Sequence, residues 1–294
     1  MKVLNFTRPE NGMTEDPLYY FDFERYEDET EDFYLFMADF YGHLYSGYYN
    51  DKTKVVLTLE EPNSCVSPGE HVALEKHADH ILTLCPYTAE LSDKRQFVFF
   101  PTNEAYIPGP NEIGKEIDVC YFGSLPTSVP WQSYIDNVLS KYDFAFGHYS
   151  QGNLRGCSYT DKMQIYGLSK VAVVHGLCNI RPETIEMYRS FPRAYNNKAL
   201  SHLDKGMAPQ IKSRMFEAAF GKCVILCQKD PWNPIENFFE PEKDFLYFEN
   251  EEDLKKILSH VLDNYDDFTE MRMNAYNKAI NNYTVRHFVE NFLK

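Results

Sequence analysis

Short apolar runs recur along the chain, and most of them are apolar on consecutive positions rather than on alternate ones. This pattern is typical of strands that are buried on both faces, as in a parallel sheet covered by helices. Such runs predict strands at residues 55–59, 80–84, 97–100, 118–122, 144–146, 171–174, 223–227 and 245–248. Helix-compatible stretches separate several of them, at residues 131–141, 182–190 and 210–220. The alternation of strands and helices predicts a doubly wound α/β architecture.

With 294 residues, the chain is long enough for two such α/β units. Proline and glycine are concentrated at residues 107–115 (IPGPNEIGK), between two predicted strands, which makes this segment the predicted linker. Apolar residues at helical spacing predict helices near the C-terminus, at residues 251–262, 268–282 and 283–294. We therefore predict three parts: an N-terminal domain over 1–108, a second domain over 109–275, and a final helix over 276–294 that packs back toward the first domain.

The charge of the protein restricts its partners. The formal net charge is −15, from 29 basic and 44 acidic residues. An acidic excess of this size disfavours binding to nucleic acids and to anionic membrane surfaces. It does not exclude a local basic pocket that takes one small anion.

The cysteines point to a reducing environment. There are seven, several of them lie inside apolar runs, and no Cys-x-x-Cys occurs. Buried reduced thiols fit this pattern better than disulfides or metal ligands, so we expect no metal site. The first ten residues lack the apolar core of a signal peptide, and no apolar run approaches the about 20 residues of a membrane helix. We expect a cytoplasmic protein without a membrane span.

The most informative segment is residues 209–221, PQIKSRMFEAAFG, which predicts a helix that leads into the strand at 223–227. Proline favours the first turn of a helix and glycine favours its end, so the helix is predicted to begin at Pro209 and to end at Gly221. A buried stripe is expected from side chains at helical spacing, namely Ile211, Met215, Phe216 and Ala219.

Two cations fall in the first turns of this predicted helix, where they oppose the helix dipole unless an anion is bound. Backbone N–H groups at a helix start, together with Lys212 and the fork of Arg214, would make a diphosphate site. Glu217, one turn later, could accept hydrogen bonds from ribose hydroxyls. The alternative is that Arg214 and Glu217 form an ordinary exposed ion pair and that Lys212 is solvated surface.

Several phrases follow one another in an order that resembles a known family. IDVCYFGSL is followed by RMFEAAFG with the strand CVILC, then by ENFFEPEKDFLYF, EEDLKKIL and YTVRHFVENFL. Over residues 117–290 this series resembles the C-terminal domain of group-1-type glycosyltransferases of the GT-B fold. The resemblance implies two Rossmann-like domains, each a parallel sheet flanked by helices. It also implies that Lys212 and Arg214 hold the diphosphate of a nucleotide-sugar and that Glu217 holds its ribose.

Other candidate donor contacts come from the same region. Ser213 stands in the same helix start, Gly123 and Ser124 follow a predicted strand, and His175 ends another. The two residues after the strand could approach a nucleotide with their backbone N–H groups. A simple turn at Gly123 and core packing of His175 are the alternatives. Trp232 could stack on a base or sugar, or could only anchor its loop.

In the N-terminal half, the phrase KVVLTLEEPNS places Glu60 and Glu61 at the end of a predicted buried strand. Functional groups gather at the carboxyl ends of strands in open α/β sheets, so these carboxylates are the candidate general base for an acceptor hydroxyl. The phrase resembles, more weakly, a strand-then-Glu-x-Pro segment of some fucosyltransferases. A capping carboxylate in a turn is the alternative. Weaker candidate bases are Asp39, His43, His71 and His77.

Together these features predict transfer of a sugar from a nucleoside-diphosphate sugar to an acceptor hydroxyl, with no cofactor beyond this co-substrate. The acceptor would be a glycan, a lipid-linked saccharide or another hydroxyl compound. No Asp-x-Asp occurs, which favours a metal-independent reaction in which Lys212 and Arg214 neutralise the leaving diphosphate. The alternatives are a non-catalytic nucleotide- or glycan-binding protein and a sugar-nucleotide epimerase. The sequence leaves the sugar, the base, the acceptor and the stereochemistry open.

Overall fold

The computed structural model describes residues 1–6, 21–38, 44–58, 68–109, 114–123, 131–147, 154, 157–180, 185 and 206–294. Within these ranges the chain forms two parallel five-stranded sheets and a separate antiparallel pair of short strands. Helices lie on both faces of the second sheet, as the two-domain α/β prediction requires. The predicted fold class is therefore confirmed.

The first sheet has the strand order β1-β2-β3-β4-β5, and every neighbouring pair is parallel. Its strands are β1 (Lys2–Phe6), β2 (Phe33–Ala38), β3 (Thr53–Thr58), β4 (His80–Thr83) and β5 (Arg95–Phe97). The accompanying helices are α1 (Pro68–His77) and the one-turn α2 (Pro86–Ala89), with 3-10 turns at Phe23–Glu29 and Glu104–Tyr106. The acidic run that begins at Glu24 lies largely on the first of these turns.

Alternate residues of the central strand β3 enter different cores. Val56 packs with Phe36, Leu74 and Ile81 on one face of the sheet. Val55 and Leu57 face the opposite side and join the large core that extends into the rest of the molecule. The strand is thus apolar on consecutive positions because both of its faces are covered.

The second sheet has the order β12-β11-β8-β6-β7 and is also parallel throughout. Its strands are β6 (Ile117–Phe122), β7 (Phe144–Gly147), β8 (Ser169–His175), β11 (Val224–Gln228) and β12 (Leu246–Phe248). The separate antiparallel pair consists of β9 (Leu177–Asn179) and β10 (Met207–Pro209). The helices are α3 (Trp131–Asn137), α4 (Tyr159–Leu168), α5 (Ser213–Phe220), α6 (Glu251–Asp263), α7 (Thr269–Asn282) and α8 (Val285–Phe292), with 3-10 turns at Leu139–Lys141, Pro234–Asn237 and Tyr265–Phe268.

Both faces of the second sheet are packed. Side chains of β6, β8 and β11 on one face meet Trp131 of α3 and Leu254 and Leu258 of α6. Residues on the other face, among them Ala172 and Ile225, meet α4, α5 and α7. These layers bring α5 against the sheet, so all of its residues after Ser213 are buried.

The last helix contacts the N-terminal part of the molecule. Phe288 of α8 lies 5.6 Å from the ring of Phe23 and 5.4 Å from the ring of Phe99. The chain entering this helix is tied to the same region, since the N–H of Val285 donates to the carbonyl of Thr102 at 3.0 Å. The division into domains at residues 108 and 275 stays a prediction.

The helix predicted from Pro209 begins later than expected. Pro209 belongs to β10 and pairs with Leu177, and the helix α5 starts only at Ser213. The prediction of a helix-starting proline was therefore wrong, because a local preference for the first helical turn was outweighed by pairing with β9. The expected stripe of Ile211, Met215, Phe216 and Ala219 is fully buried, as predicted.

Gly221 ends α5, although not through a left-handed conformation, since its φ is −75°. A Cβ atom on Gly221 would lie 2.7 Å from the backbone carbon of Tyr166 at the end of α4. Close packing of two helices therefore explains the glycine. The predicted helix at 182–190 and residues 110–113 of the predicted linker lie outside the described residues.

Candidate functional site

The guanidinium of Arg214 lies at the carboxyl edge of the second sheet. Arg214 is the second residue of α5 and is only 8% exposed. Its Nη1 donates a hydrogen bond of 2.9 Å to the hydroxyl of Tyr121 in β6 and lies 3.1 Å from Nε2 of His175, the last residue of β8. Two adjacent strands thus hold the cation where the parallel strands end.

His175 links these groups through both of its ring nitrogens. Nε2 lies 3.0 Å from the hydroxyl of Tyr121, and Nδ1 lies 3.3 Å from the backbone nitrogen of Leu177. If Nδ1 accepts from the N–H of Leu177, Nε2–H donates to Tyr121 and Arg214 donates to the same phenolic oxygen. The approach of Arg214 Nη1 to Nε2 is then a contact between two donors rather than a hydrogen bond. An imidazole carries no negative charge in either tautomer, so His175 adds no counter-ion to Arg214.

Aromatic packing fixes the strand ends around the cation. Trp131 of α3 stacks on Tyr121 with ring centroids 4.8 Å apart and lies 4.9 Å from the ring of His175. Its indole N–H donates to the side-chain oxygen of Gln228, the last residue of β11, at 2.9 Å. Tyr121, Trp131 and Gln228 were not predicted as site residues. Tyr121 and Gln228 lie at the ends of predicted strands, which was an available signal, whereas Trp131 begins a predicted helix.

Gly123 follows β6 and makes room for Arg214. Its φ is +120°, and a Cβ atom there would lie 2.2 Å from Nη2 of Arg214. The N–H of Gly123 donates to the carbonyl of Gly147 at 2.9 Å, so it is already engaged. The structure therefore favours a steric role for Gly123 over the predicted N–H contact with a nucleotide, and Ser124 lies outside the described residues.

No carboxylate pairs with Arg214 within the part of the chain that the structure describes. The alternative of an exposed Arg214–Glu217 ion pair is wrong, because both residues are buried and Glu217 has a different partner. The carboxylate of Glu217 lies 2.7 Å from Nζ of Lys162 on α4. Burying a guanidinium without a counter-ion is costly, so the arrangement is typical of an anion site.

Two other predicted residues stand at the start of α5. Lys212 is the N-cap residue, with an extended backbone, and its ammonium contacts the side-chain oxygen of Gln210. Ser213 is half-buried in the first turn. The first N–H groups of a helix have no partner inside the helix, so this turn offers donors beside Arg214.

Asp230 follows β11 at the same edge and was not predicted. One carboxyl oxygen accepts the N–H groups of Trp232 and Asn233, both at 2.8 Å. A Cβ atom on Gly176 would lie 2.5 Å from Cγ of Pro234 and 3.1 Å from the other carboxyl oxygen of Asp230, so the glycine after His175 makes room for both. Burial raises the pKa of Asp230 to about 7, against the lowering effect of the two backbone hydrogen bonds.

The predicted catalytic residues Glu60 and Glu61, and the weaker candidates Asp39 and His43, lie outside the described residues. Both glutamates come shortly after the end of β3, the central strand of the first sheet. Of the remaining histidine candidates, His77 packs against Tyr45 with ring centroids 5.1 Å apart, and His71 lies in α1.

Among the described residues, no group of three or more His, Cys, Asp or Glu side chains is arranged to hold a metal ion. The six cysteines within these ranges are free, and all but Cys157 are buried. No helix in the described part of the chain has the length and apolar character needed to cross a membrane.

Comparison with known proteins finds a family similarity in the C-terminal part of the chain. Residues 159–294 match a family model described as glycosyl transferase-like. A search of curated protein sequences finds no match. The matched segment contains α4, β8, α5 and β11, and therefore most of the residues around Arg214.

Solved structures with the same fold cover nearly the whole chain. A variant of S. aureus TarM in complex with fondaparinux, α-GlcNAc-glycerol and UDP has a TM-score of 0.58 and 13% identity, covering 92% of this chain and 57% of that one. Anabaena HepE in complex with UDP and glucose has a TM-score of 0.56 and 10% identity, and the match covers 87% of this chain and 76% of HepE. The pneumococcal O-GlcNAc transferase GtfA in complex with UDP and GlcNAc has a TM-score of 0.54 and 10% identity, and the match covers 88% of this chain and 55% of GtfA.

This chain spans little more than half the length of the S. aureus and pneumococcal structures. At these identities the likeness concerns the fold, whereas the family match concerns the sequence around the site. Residues 159–294 match a glycosyl transferase-like family model, and the chain shares the two-sheet GT-B fold of the solved structures named above.

Proposed function

We propose that this protein transfers a sugar from a nucleoside-diphosphate sugar to an acceptor hydroxyl without a bound metal. The observation that carries the proposal is the buried guanidinium of Arg214, which has no carboxylate partner among the described residues. A charge in such surroundings is stabilised by a ligand of opposite sign. A diphosphate fits a planar cation beside a helix N-terminus.

The chemistry assigns a task to each group. The bond between the anomeric carbon and the diphosphate oxygen breaks, and its electron pair leaves with the diphosphate. Arg214, Lys212 and the first N–H groups of α5 stabilise the charge that develops there. They supply the electrostatic role that a metal ion has in other enzymes, which supports metal independence.

The base on the acceptor side is proposed to be Glu61, with Glu60 as its neighbour. The acceptor oxygen forms a bond to the anomeric carbon, and its proton passes to this carboxylate if the reaction inverts the anomeric centre. The position of both residues after the central strand of the first sheet supports this role. Glycans, lipid-linked saccharides and other hydroxyl compounds are the acceptors to test.

The similar structures suggest which donor to test first. TarM, HepE and GtfA were each solved with UDP, and glucose or a GlcNAc group accompanies it. We therefore propose UDP-glucose and UDP-GlcNAc as the first donors. No cofactor beyond the nucleotide-sugar is proposed.

The test combines binding and turnover. Calorimetric titration with UDP and GDP, in the presence of EDTA, should show binding of at least one nucleotide. Release of that nucleotide from its sugar donor should then depend on an added acceptor. Binding without release under every acceptor would favour a binding protein, and isomerised sugar without acceptor would favour an epimerase. A protein that binds neither nucleotide would contradict the proposal.

A further inference from the structure

The side-chain amide of Gln228 is fixed in one orientation at the carboxyl edge of the second sheet. Gln228 is the last residue of β11 and is 7% exposed. Its Oε1 accepts a hydrogen bond of 2.9 Å from the indole N–H of Trp131, which is fully buried. An indole N–H can only donate, so the atom that faces it must be the oxygen, and the –NH2 group of Gln228 must point away from Trp131.

This –NH2 group has two N–H donors to offer. Within the described part of the chain, the side chain of Gln228 makes no hydrogen bond other than that with Trp131. Its nitrogen is not one of the polar atoms that the protein encloses completely. A ligand can therefore reach the nitrogen from the edge of the sheet, and a nearly buried donor without a partner gains from binding one.

Gln228 and the guanidinium of Arg214 lie on either side of His175. Gln228 pairs with His175 in the register of β11 and β8, and neighbouring strands lie about 4.8 Å apart. Nη1 of Arg214 lies 3.1 Å from Nε2 of the same histidine. Trp131 contacts both His175 and Gln228, so these two side chains share one face of the sheet.

Both groups beside His175 present only donors. A guanidinium cannot accept a hydrogen bond, and the accepting oxygen of Gln228 is turned toward Trp131. A ligand that bridges Arg214 and Gln228 therefore needs oxygens that accept hydrogen bonds without donating any. The phosphoryl oxygens of a diphosphate meet this condition, whereas sugar hydroxyls carry protons of their own.

We propose that the –NH2 group of Gln228 donates to a phosphoryl oxygen of the nucleotide donor, next to Arg214. Trp131 is a positioning residue, because its indole N–H keeps the oxygen of Gln228 away from the anion. The inference rests on the proposed function, since it takes the diphosphate as the ligand of Arg214. It adds a neutral donor from a different strand to a site otherwise built from cations and the N–H groups of a helix start.

The first test replaces the donor of Gln228 by an acceptor of the same shape. Gln228→Glu can still accept from Trp131, but a carboxylate oxygen then stands where the –NH2 group was. Calorimetry should show about tenfold or more weaker binding of both UDP and UDP-glucose, by a similar factor, because the diphosphate is common to them. GDP and GDP-glucose take their place if the wild type binds guanine nucleotides.

A neutral variant and a charge control accompany this test. Gln228→Met removes the donor without adding a charge and should weaken binding of the same ligands by about 3- to 10-fold, so it decides the matter if Gln228→Glu does not fold. The control is Gln132→Glu, which makes the same charge change one residue after Trp131. Gln132 is exposed and donates to the carboxylate of Asp136 at 2.9 Å, so its replacement should leave UDP affinity unchanged.

Trp131→Phe tests the positioning role. Phenylalanine keeps an aromatic ring against Tyr121 and loses the N–H group that orients Gln228. UDP affinity should fall by about threefold in the otherwise wild-type chain, and should fall no further when the change is made in Gln228→Met. An equal fall in both backgrounds would show that Trp131 acts through Tyr121 or His175, and would overturn its role in orienting Gln228.

The remaining outcomes separate the inference from the proposed function. Wild-type UDP affinity in both Gln228 variants would overturn the inference while leaving the proposed function intact. Weaker binding of UDP-glucose alone would also overturn it, since the amide would then contact the sugar. A wild type that binds neither UDP nor GDP would overturn both.

Discussion

Each sheet has a buried arginine beside it, and the two arginines have different surroundings. Arg95, in β5 of the first sheet, is 7% exposed and donates from Nε to the carboxylate of Glu75. Arg214, beside the second sheet, is 8% exposed and donates to the neutral hydroxyl of Tyr121. The burial is nearly equal, but only Arg95 has a counter-ion among the described residues. The difference distinguishes an arginine that is paired within the fold from one whose proposed partner is an anionic ligand.

The polar groups at the strand ends show the same contrast. In the first sheet, Thr58 donates to the carbonyl of Leu82 at 3.1 Å, and Thr83 shares a hydrogen bond of 2.9 Å with Thr88. These neutral hydroxyls are satisfied locally. The corresponding edge of the second sheet carries a cation and a titratable carboxyl. Donor binding is therefore expected there, while acceptor chemistry is left to the first half.

The largest effect is expected from Glu61→Gln, which tests this division between the halves. Loss of a general base should slow sugar transfer by about 100- to 10,000-fold while leaving UDP affinity unchanged. Transfer rates and calorimetric affinities, measured on the same preparation, separate the two effects. Glu60→Gln is the matched comparison, and transfer at the wild-type rate in Glu61→Gln would remove that residue from the mechanism.

The pair Arg214→Ala and Arg95→Ala tests the comparison directly. Arg214→Ala should weaken UDP binding by about 100-fold or more, because a bidentate charged contact is lost. Its thermal stability should be unchanged or higher, since a buried unpaired charge is removed. Arg95→Ala should instead lose about 1–3 kcal/mol of stability, because the carboxylate of Glu75 loses its partner.

Calorimetry and denaturant unfolding of both variants provide the measurement. Wild-type UDP affinity in Arg214→Ala, or an equal loss of stability in the two variants, would contradict the distinction between the arginines.

Gly123→Ala should displace the guanidinium without changing its chemistry. The new Cβ would lie 2.2 Å from Nη2 of Arg214, and alanine is strained at a φ of +120°. We expect UDP binding to weaken by about 10- to 50-fold and stability to fall by about 1–3 kcal/mol. Gly109→Ala is the control, because a Cβ there meets nothing within 4 Å. Equal behaviour of the two alanine variants would show that Gly123 is not needed for the placement of Arg214.

Asp230→Asn should change the pH dependence of stability. Because the pKa of Asp230 is raised to about 7, its ionisation is disfavoured in the folded state relative to the unfolded chain. The free energy of unfolding of the wild type should therefore fall as the pH rises from about 4 to about 7. Above about pH 7 this contribution should stay at its lower value. Asparagine can accept the same backbone N–H groups without ionising.

We expect the variant to gain about 1–2 kcal/mol over the wild type at pH values above about 7, and little at about pH 4. Urea unfolding across this range measures the difference. A constant difference at every pH would contradict the assignment of the titration to Asp230.

Tyr121→Phe should have the smallest effect. It removes the hydroxyl that accepts from Arg214 and keeps the ring that stacks on Trp131. We expect UDP binding to weaken by about 3- to 10-fold, corresponding to about 1 kcal/mol. Tyr34→Phe is the control in the first sheet, where the hydroxyl bonds to Asp51 at 3.0 Å. A larger effect on binding from Tyr34→Phe than from Tyr121→Phe would reverse the comparison.

Much of the fold was predictable from local pattern. Seven of the eight predicted strands correspond closely to observed strands, as in β8 (Ser169–His175) against the predicted 171–174. The predicted strand at 97–100 shares only Phe97 with β5. Consecutive apolar residues carry this signal because burial on both faces is a property of each strand itself. The strands β1, β2, β9 and β10 and the helices α1, α2 and α4 were missed.

The missed elements had weaker local signals. The run FYLFMA of β2 contains Leu, Met and Ala, which favour helices, and its pairing with β1 and β3 decided the outcome. For α4 a signal was present: Ser158 and Asp161 form a capping box at its start. That spacing could have predicted the helix on which Lys162 lies.

The sequence by itself determined the strand–helix alternation and the presence of two cations at one helix start. Only the tertiary structure decided that Arg214 is buried against Tyr121, 93 residues away, and that Glu217 faces Lys162 rather than Arg214. The physical reason is that periodicity depends on neighbours in sequence, whereas the partner of a charge depends on which elements pack together. An exposed ion pair and a buried ligand site share the same spacing, and burial alone distinguishes them.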